Sequence, residues 1–355
     1  MKNSVKSYVL NFLLILLLTI VALWFSLKDQ YREVILLFAG MKWYSLAIVL
    51  IWGIVYACVV GCILTVLAKK NKKDYRYIDG ITTGFIGMFF NGITPSSTGG
   101  QFAQAYIFKK QGIKISDAAS ILWADFIIYQ TTMMIYVTIL FMMRFSHFMD
   151  LVGVWFWAIF IGYIINIFVI LFLWTVAFFP KVYTRLSTCV ISFLARIHII
   201  KNKEKVTLNL AIQVDGFIAE IKRLKHEKDI IIKTVFLNIV RMTLQFILPF
   251  CIMRLMFVPV GMDRFVDCLA LSSFVLMANA FIPVPGASGG TELIFTALFQ
   301  SMIQSSVLAS GVMILWRFST YHIVMIVGAV VFLIAKHKFE HRKYHKQEDE
   351  VKTCE

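Results

Sequence analysis

Runs of apolar residues as long as the roughly 20 that cross a bilayer as a helix recur along this chain. Val9–Leu27, Ser45–Leu67, Trp155–Phe179 and Val307–Ile334 are examples. With 59% hydrophobic residues and a mean hydropathy of +0.78 over 355 residues, no soluble domain accounts for the whole. The first run follows Lys2 and Lys6. It is too long for a signal-peptide core and lacks a small-x-small cleavage pattern, so it reads as an uncleaved span.

Eight apolar blocks emerge, at 9–27, 43–67, 78–94, 118–143, 152–179, 230–257, 267–282 and 305–334. If all eight span with the N-terminus inside, the segment 181–229 falls outside. It carries ten basic residues: Lys181, Arg185, Arg196, Lys201, Lys203, Lys205, Lys222, Arg223, Lys225 and Lys228. Short basic loops stay in the cytoplasm, so that count of spans fails. Blocks 78–94 and 267–282 are short and run into Gly/Pro-rich sequence. Letting both dip in and return puts Lys69–Arg76, Lys109–Lys114, 181–229 and the Lys336–Lys352 tail inside. Only sparse charges such as Lys28, Arg32, Arg144 and Arg264 then lie outside. The expected fold is an all-α polytopic membrane protein with six full transmembrane helices, two re-entrant hairpins and both termini cytoplasmic. Irregular backbone at membrane depth is tolerated where protein or a watery cavity covers it.

The hairpins share a pattern, P-x-x-[ST]-G-G. One copy reads Thr94-Pro95-Ser96-Ser97-Thr98-Gly99-Gly100-Gln101; the other reads Val284-Pro285-Gly286-Ala287-Ser288-Gly289-Gly290-Thr291. The units 43–143 and 230–334 are nearly equal in length and enter from opposite faces, making an inverted repeat like those of many secondary transporters. The membrane domain is expected to cover 1–335, with 181–229 as a basic, amphipathic connector and 336–355 as a charged tail. Proline ends a helix, paired glycines allow unusual dihedrals, and Ser or Thr before them caps the returning helix. Freed N–H groups at a helix start bind anions such as phosphate. A plain turn explains one copy; two copies in inverted units favour a ligand site. The expected binding residues are Thr94, Pro95, Thr98, Gly99, Gly100, Gln101, Gln104, Pro285, Ser288, Gly289, Gly290, Thr291 and Glu292.

Asp125, Arg241 and Arg317 lie in apolar segments, where charge is costly and faces a bundle interior or cavity. Asp125 follows Pro95 by 30 residues and Arg317 follows Pro285 by 32. That near-symmetry suggests an Asp125–Arg317 pair, structural or functional. Arg241 suits a phosphate through its planar fork. Glu292 complements the helix dipole or faces a cationic headgroup. Arg254 snorkels near a span end. Residues 206–228 form an amphipathic stripe, interfacial or packed on the membrane domain. Gly80, Gly84 and Gly87 make a small face for close helix approach.

The net charge of +15 fits topology and anionic headgroups, not nucleic acid. The cysteines form no disulfide or zinc pattern. No metal cluster and no P-loop is present, so no cofactor and no catalytic residue is expected. One enzyme reading competes: Gly286-Ala287-Ser288-Gly289 with His322 resembles an intramembrane Ser–His protease. The first copy has Ser97-Thr98 at the same place with no matching histidine, so symmetry explains the serine as a hairpin residue.

TPSSTGGQFAQAYIFKKQGI, PGASGGTELIF, Leu315-Trp316-Arg317-Phe318 and Thr320-Tyr321 resemble the lysylphosphatidylglycerol synthase transmembrane, or flippase-like, family over roughly Trp43 to Ile334. The first motif is similar to versions from Gram-positive bacteria. The resemblance implies flipping of a phospholipid or aminoacyl-phospholipid across the bacterial cytoplasmic membrane, as two-domain members flip aminoacylated phosphatidylglycerol outward. It also admits an accessory role in making lysylphosphatidylglycerol. Since only a charged tail follows the membrane region, the soluble synthase domain of two-domain members is expected to be absent. The implied partners are the lipid substrate and the membrane, with a homo-oligomer or a separate lipid-modifying enzyme as further options. Where relatives carry a Glu-Arg pair after the first hairpin, this chain has Ala124 and Asp125, which bears on headgroup choice.

Overall fold

The computed structural model describes residues 31–94, 98–143, 155–178, 227–279 and 285–352, with a few isolated residues between. All regular structure among them is helical. In chain order the helices are α1 (Tyr31–Ala39), α2 (Trp43–Ala68), α3 (Tyr77–Ile93), α4 (Gly99–Lys110), α5 (Ile115–Met143), α6 (Trp155–Phe178), α7 (Lys228–Leu255), α8 (Phe265–Asn279), α9 (Gly290–Ile303), α10 (Ser306–Arg317) and α11 (Ile323–Lys352). A π turn, Phe318–His322, joins α10 to α11 without breaking the rod. Seven of the eight apolar blocks appear as helices. The block 9–27 and most of the 206–228 stripe lie outside the described residues.

Four stretches are long and apolar enough to cross a membrane: Trp43–Ala68, Ile115–Met143, Lys228–Leu255 and Ser306–Phe339. Their outer faces carry exposed apolar side chains, including Ile51, Ile135, Met142, Phe236, Ile326 and Leu333. In water such a surface would be costly; in hydrocarbon it is the expected exterior.

α3 and α4 have 17 and 12 residues, about 25 and 18 Å at 1.5 Å per residue. α8 and α9 have 15 and 14 residues, about 22 and 21 Å by the same rise. Each is shorter than the roughly 30 Å hydrocarbon core. Each pair folds back on itself. Gly87 abuts Gln104 and Gly100 bonds Asn91 in the first; Cys268 meets Met302 and Ile282 meets Gly290 in the second.

Small residues set the helix spacing. A Cβ at Gly61 would overlap Ile81 on α3, one at Gly80 would overlap Thr65, and one at Gly53 would overlap the Ser319 carbonyl in the π turn. The expected small face thus lies in the α2–α3 contact at Gly80 and Gly84, and Gly87 serves the α3–α4 contact instead. α7 contains Pro249, whose missing N–H leaves the Gln245 carbonyl without its helical donor. Trp52 Nε1 donates to the Leu244 carbonyl at 2.8 Å and Ser272 Oγ donates to the Phe246 carbonyl at 3.0 Å. These carbonyls flank Gln245, and each gains a donor from a neighbouring helix.

The basic segments gather at one end of the bundle. Lys72 Nζ donates to the Gln111 carbonyl at 3.0 Å, and Lys70 pairs with Glu227 at 3.2 Å. α11 runs antiparallel to α3, since Tyr321 and Met325 meet Gly92 and Gly328 meets Phe85. Its Lys336 and Lys338 therefore lie toward the same end. Lys42 and Phe257 meet at the opposite end.

Candidate functional site at the meeting of two helix hairpins

In the first hairpin, the start of α4 is closed by side chains from the end of α3. Thr94 Oγ1 donates to the Phe90 carbonyl at 2.7 Å and accepts from the Gly99 N–H at 2.9 Å. Asn91 Oδ1 accepts from the Gly100 N–H at 2.9 Å. Thr98, the expected cap, makes no side-chain cap bond. Gly99 does not have positive φ; it is glycine because a Cβ there would strike Thr94. Gln101 is exposed and Gln104 packs half-buried on Gly87. Pro95 lies outside the described residues.

The second hairpin turns through Pro285–Ala287, where Gly286 and Ala287 have φ of 61° and 51°. Gly289 has φ of 88°, open space around its Cα, and a conformation suited to glycine alone. Its N–H donates to Glu292 Oε2 at 2.7 Å. Thr291 Oγ1 donates to the Ala287 carbonyl at 2.8 Å, Ser288 is buried, and Gly290 packs on Ile282.

Glu292 also holds the buried cation of this region. Arg317 Nε donates to Glu292 Oε1 at 2.7 Å, with side chains 7% and 2% exposed. Arg317 Nη2 donates to the Gly286 carbonyl at 2.8 Å. The expected Asp125–Arg317 pair is therefore corrected. The chain reverses between α9 and α10 at Gln304, with φ of 58°, and this lays Arg317 beside the first turn of α9. Repeat symmetry fixed a register position but not the side chain's direction.

The tips of both hairpins converge on Tyr321 in the π turn. Its hydroxyl donates to the Gly92 carbonyl at 3.1 Å, its ring fills the space where a Cβ on Gly286 would sit, and the Arg317 guanidinium lies 4.7 Å from its centroid. Beneath, Phe295 stacks on Phe299 at 4.2 Å and on Trp316 at 4.9 Å. The sequence pattern does not mark Tyr321 or Asn91 as site residues. A π bulge, often found at functional sites, leaves no mark in hydropathy.

A second polar cluster lies between α2, α5 and α7. Arg241 Nε donates to the Tyr56 hydroxyl at 3.2 Å, and its guanidinium sits 4.3 Å from the Tyr129 centroid. Asp125 is close enough to interact electrostatically with Arg241. Along α5, a groove of about 330 Å³ lined by Ile127, Ile128, Thr131, Ile135, Val235 and Ile239 opens between α5, α6 and α7. Arg254, expected to snorkel, donates to the Val260 carbonyl at 3.1 Å.

At the basic end, Gln111 ties the first hairpin's base. Its Nε2 donates to the Asp79 carbonyl at 2.9 Å, and its Oε1 accepts from Thr83 at 3.1 Å and from Tyr75. Burial pushes the Tyr75 phenol up, so it remains a donor.

No hydrogen bond joins Ser288 to His322, whose ring packs on Phe318 and Tyr321. Among the described residues no group of His, Cys, Asp and Glu could hold a metal ion.

Helices of membrane length with an apolar exterior, around short helical hairpins tied by a buried ion pair, define a polytopic membrane protein. Residues 9–328 match the family model described as the lysylphosphatidylglycerol synthase TM region, and the chain belongs to that family. No curated protein and no solved structure matches it.

Proposed function

We propose that this protein moves a phospholipid or aminoacyl-phospholipid-like molecule across the bacterial cytoplasmic membrane. One observation carries the reading. Two helix pairs too short to span meet tip to tip on Tyr321, beside a buried Arg317–Glu292 pair. In this reading the pairs are re-entrant hairpins within units 43–143 and 230–334, among six full spans. The clustered basic ends face the cytoplasm, as do both termini, the connector 181–229 and the tail.

The lipid path runs between the tips, past Thr94, Thr98–Gln101, Gln104 and Pro285–Glu292. Glu292 stands where a phosphate would be held, between the Gly289 N–H and Arg317. An arriving phosphate would exchange with that carboxylate, because a helix start and a guanidinium both favour anions. The apolar groove beside α5 gives an acyl chain room to lie.

The test is headgroup accessibility of a labelled phospholipid in reconstituted vesicles. Gly289→Val forces a β-branched residue into positive φ, and Gly99→Val collides with Thr94; both should stop lipid movement while the protein still inserts. Arg317→Ala should be worse than Arg317→Lys, which keeps the charge but loses the fork. Normal flipping by both glycine variants would move the path elsewhere. If Ser288→Ala and His322→Ala both abolished cleavage of a membrane substrate, the protease reading would replace this one.

A further inference from the structure

Asp125 is a carboxyl within a membrane-length helix, and among the described residues no hydrogen bond or ion pair holds it. Its Oδ1 is enclosed without a hydrogen-bond partner, while the residue as a whole is only partly buried. No hydrogen bond or ion pair joins it to Arg241, although the two interact through space. Arg241 is turned instead onto the rings and hydroxyl of Tyr56 and Tyr129. A negative carboxylate left so in a hydrocarbon layer is costly, and the cost disappears when the group takes a proton or draws a cation to itself.

We propose that Asp125 is a proton-binding site through which lipid movement is coupled to a transmembrane proton gradient. This rests on the lipid-translocation reading above and supplies its energy source. The step balances simply. The carboxylate takes one proton from one side to become a carboxylic acid, then releases it to the other side. Arg241 is the counter-charge. With the carboxyl protonated, the guanidinium rests on the two tyrosines, as in this structure. With the proton gone, the carboxylate pulls Arg241 off Tyr56 and closes an Asp125–Arg241 ion pair, shifting α7 against α2 and α5. The charged and titratable groups that interact with Asp125 among the described residues are Arg241 on α7 and Tyr129 one turn along α5, with Tyr56 on α2 beyond them against Arg241. No such group from α4, α6 or α8, which also pack on α5, joins this set. The cluster makes no hydrogen bond to Glu292, Arg317 or the hairpin turns. It lies on α2, α5 and α7, outside the hairpin turns, and shares α5 and α7 with the apolar groove.

The test uses the full chain in vesicles of phosphatidylglycerol and phosphatidylethanolamine with a headgroup-labelled phosphatidylglycerol. An imposed pH difference should change the steady-state distribution of label several-fold, and a protonophore should collapse the change. Asp125→Asn should lose the response to the gradient; Asp125→Glu, which keeps a titrating carboxyl, should retain it. A second readout does not need transport. The infrared carbonyl band of a protonated carboxyl should titrate in the native protein, shift in Asp125→Glu and vanish in Asp125→Asn. A titrating band without lipid movement would support the proton site and remove the translocation reading. Lipid movement indifferent to pH difference, a response to sodium instead, or an unchanged response in Asp125→Asn would each overturn the proposal. So would the absence of any band that Asp125→Asn removes.

Discussion

Removing Glu292 should be among the most damaging single changes in the bundle. Its carboxylate faces Arg317 at 2.7 Å, and both side chains are almost wholly enclosed. Truncation to Ala strands the guanidinium, at about 3–5 kcal/mol for an uncompensated buried charge. The Gly289 N–H loses its acceptor as well, about 1 kcal/mol for a lost cap. Glu292→Gln keeps the shape and an oxygen for that N–H but drops the charge, so it should recover the cap and little else. Arg317→Met in the Glu292→Gln background then removes the stranded cation. The double variant should be more stable than Glu292→Gln alone, with a coupling of about 2–3 kcal/mol, within the range for residues in direct contact. Unfolding of the purified protein in mixed micelles, with each single variant and the double, measures the cycle. Single-variant effects under about 0.5 kcal/mol, or effects that simply add, would refute the reasoning, since distant sites behave that way.

Gly53→Val and Gly61→Val would drive a side chain into the Ser319 carbonyl and the α3 backbone, so both should prevent recovery of monodisperse protein in detergent. Tyr321→Phe removes one hydrogen bond to Gly92 and should cost about 1 kcal/mol; Tyr321→Ala also empties the space against Gly286 and should cost more by thermal unfolding. Gln111→Ala frees the base of the first hairpin and should raise hydrogen exchange at the start of α3, leaving α8–α9 unchanged. A cysteine placed near Lys203 should react with an impermeant reagent only after the inner face is opened, and one near Met262 from outside. External reaction near Lys203 in intact cells would overturn both the six-span topology and the inversion of the repeat.

Hydropathy locates α2, α3, α5, α6, α7, α8 and the α10–α11 rod, because a membrane helix must be apolar over most of its length, while α4 and α9 fall between the apolar blocks. The turns were legible too, since Pro285 and Gly289 are the residues that stop and restart a helix there. Partners were harder. Arg317 and Glu292 are 25 residues apart, and only the reversal at Gln304, a residue with no turn signature, brings them together. The capping roles of Asn91 and Thr94 were hidden in a different way. The motif directs attention to Thr98, next to the glycines, while the oxygens that accept their N–H groups come from the preceding helix.

The π turn at Phe318–His322 holds one residue more than an α-helical turn. Such a surplus residue is mobile in principle. Passing it one position along the rod rotates every side chain it crosses by about 100° while the helix stays whole. Tyr321 would then swing away from Gly92 and Gly286 together. A single sliding defect would open the seam on both sides at once, like the slider of a zip.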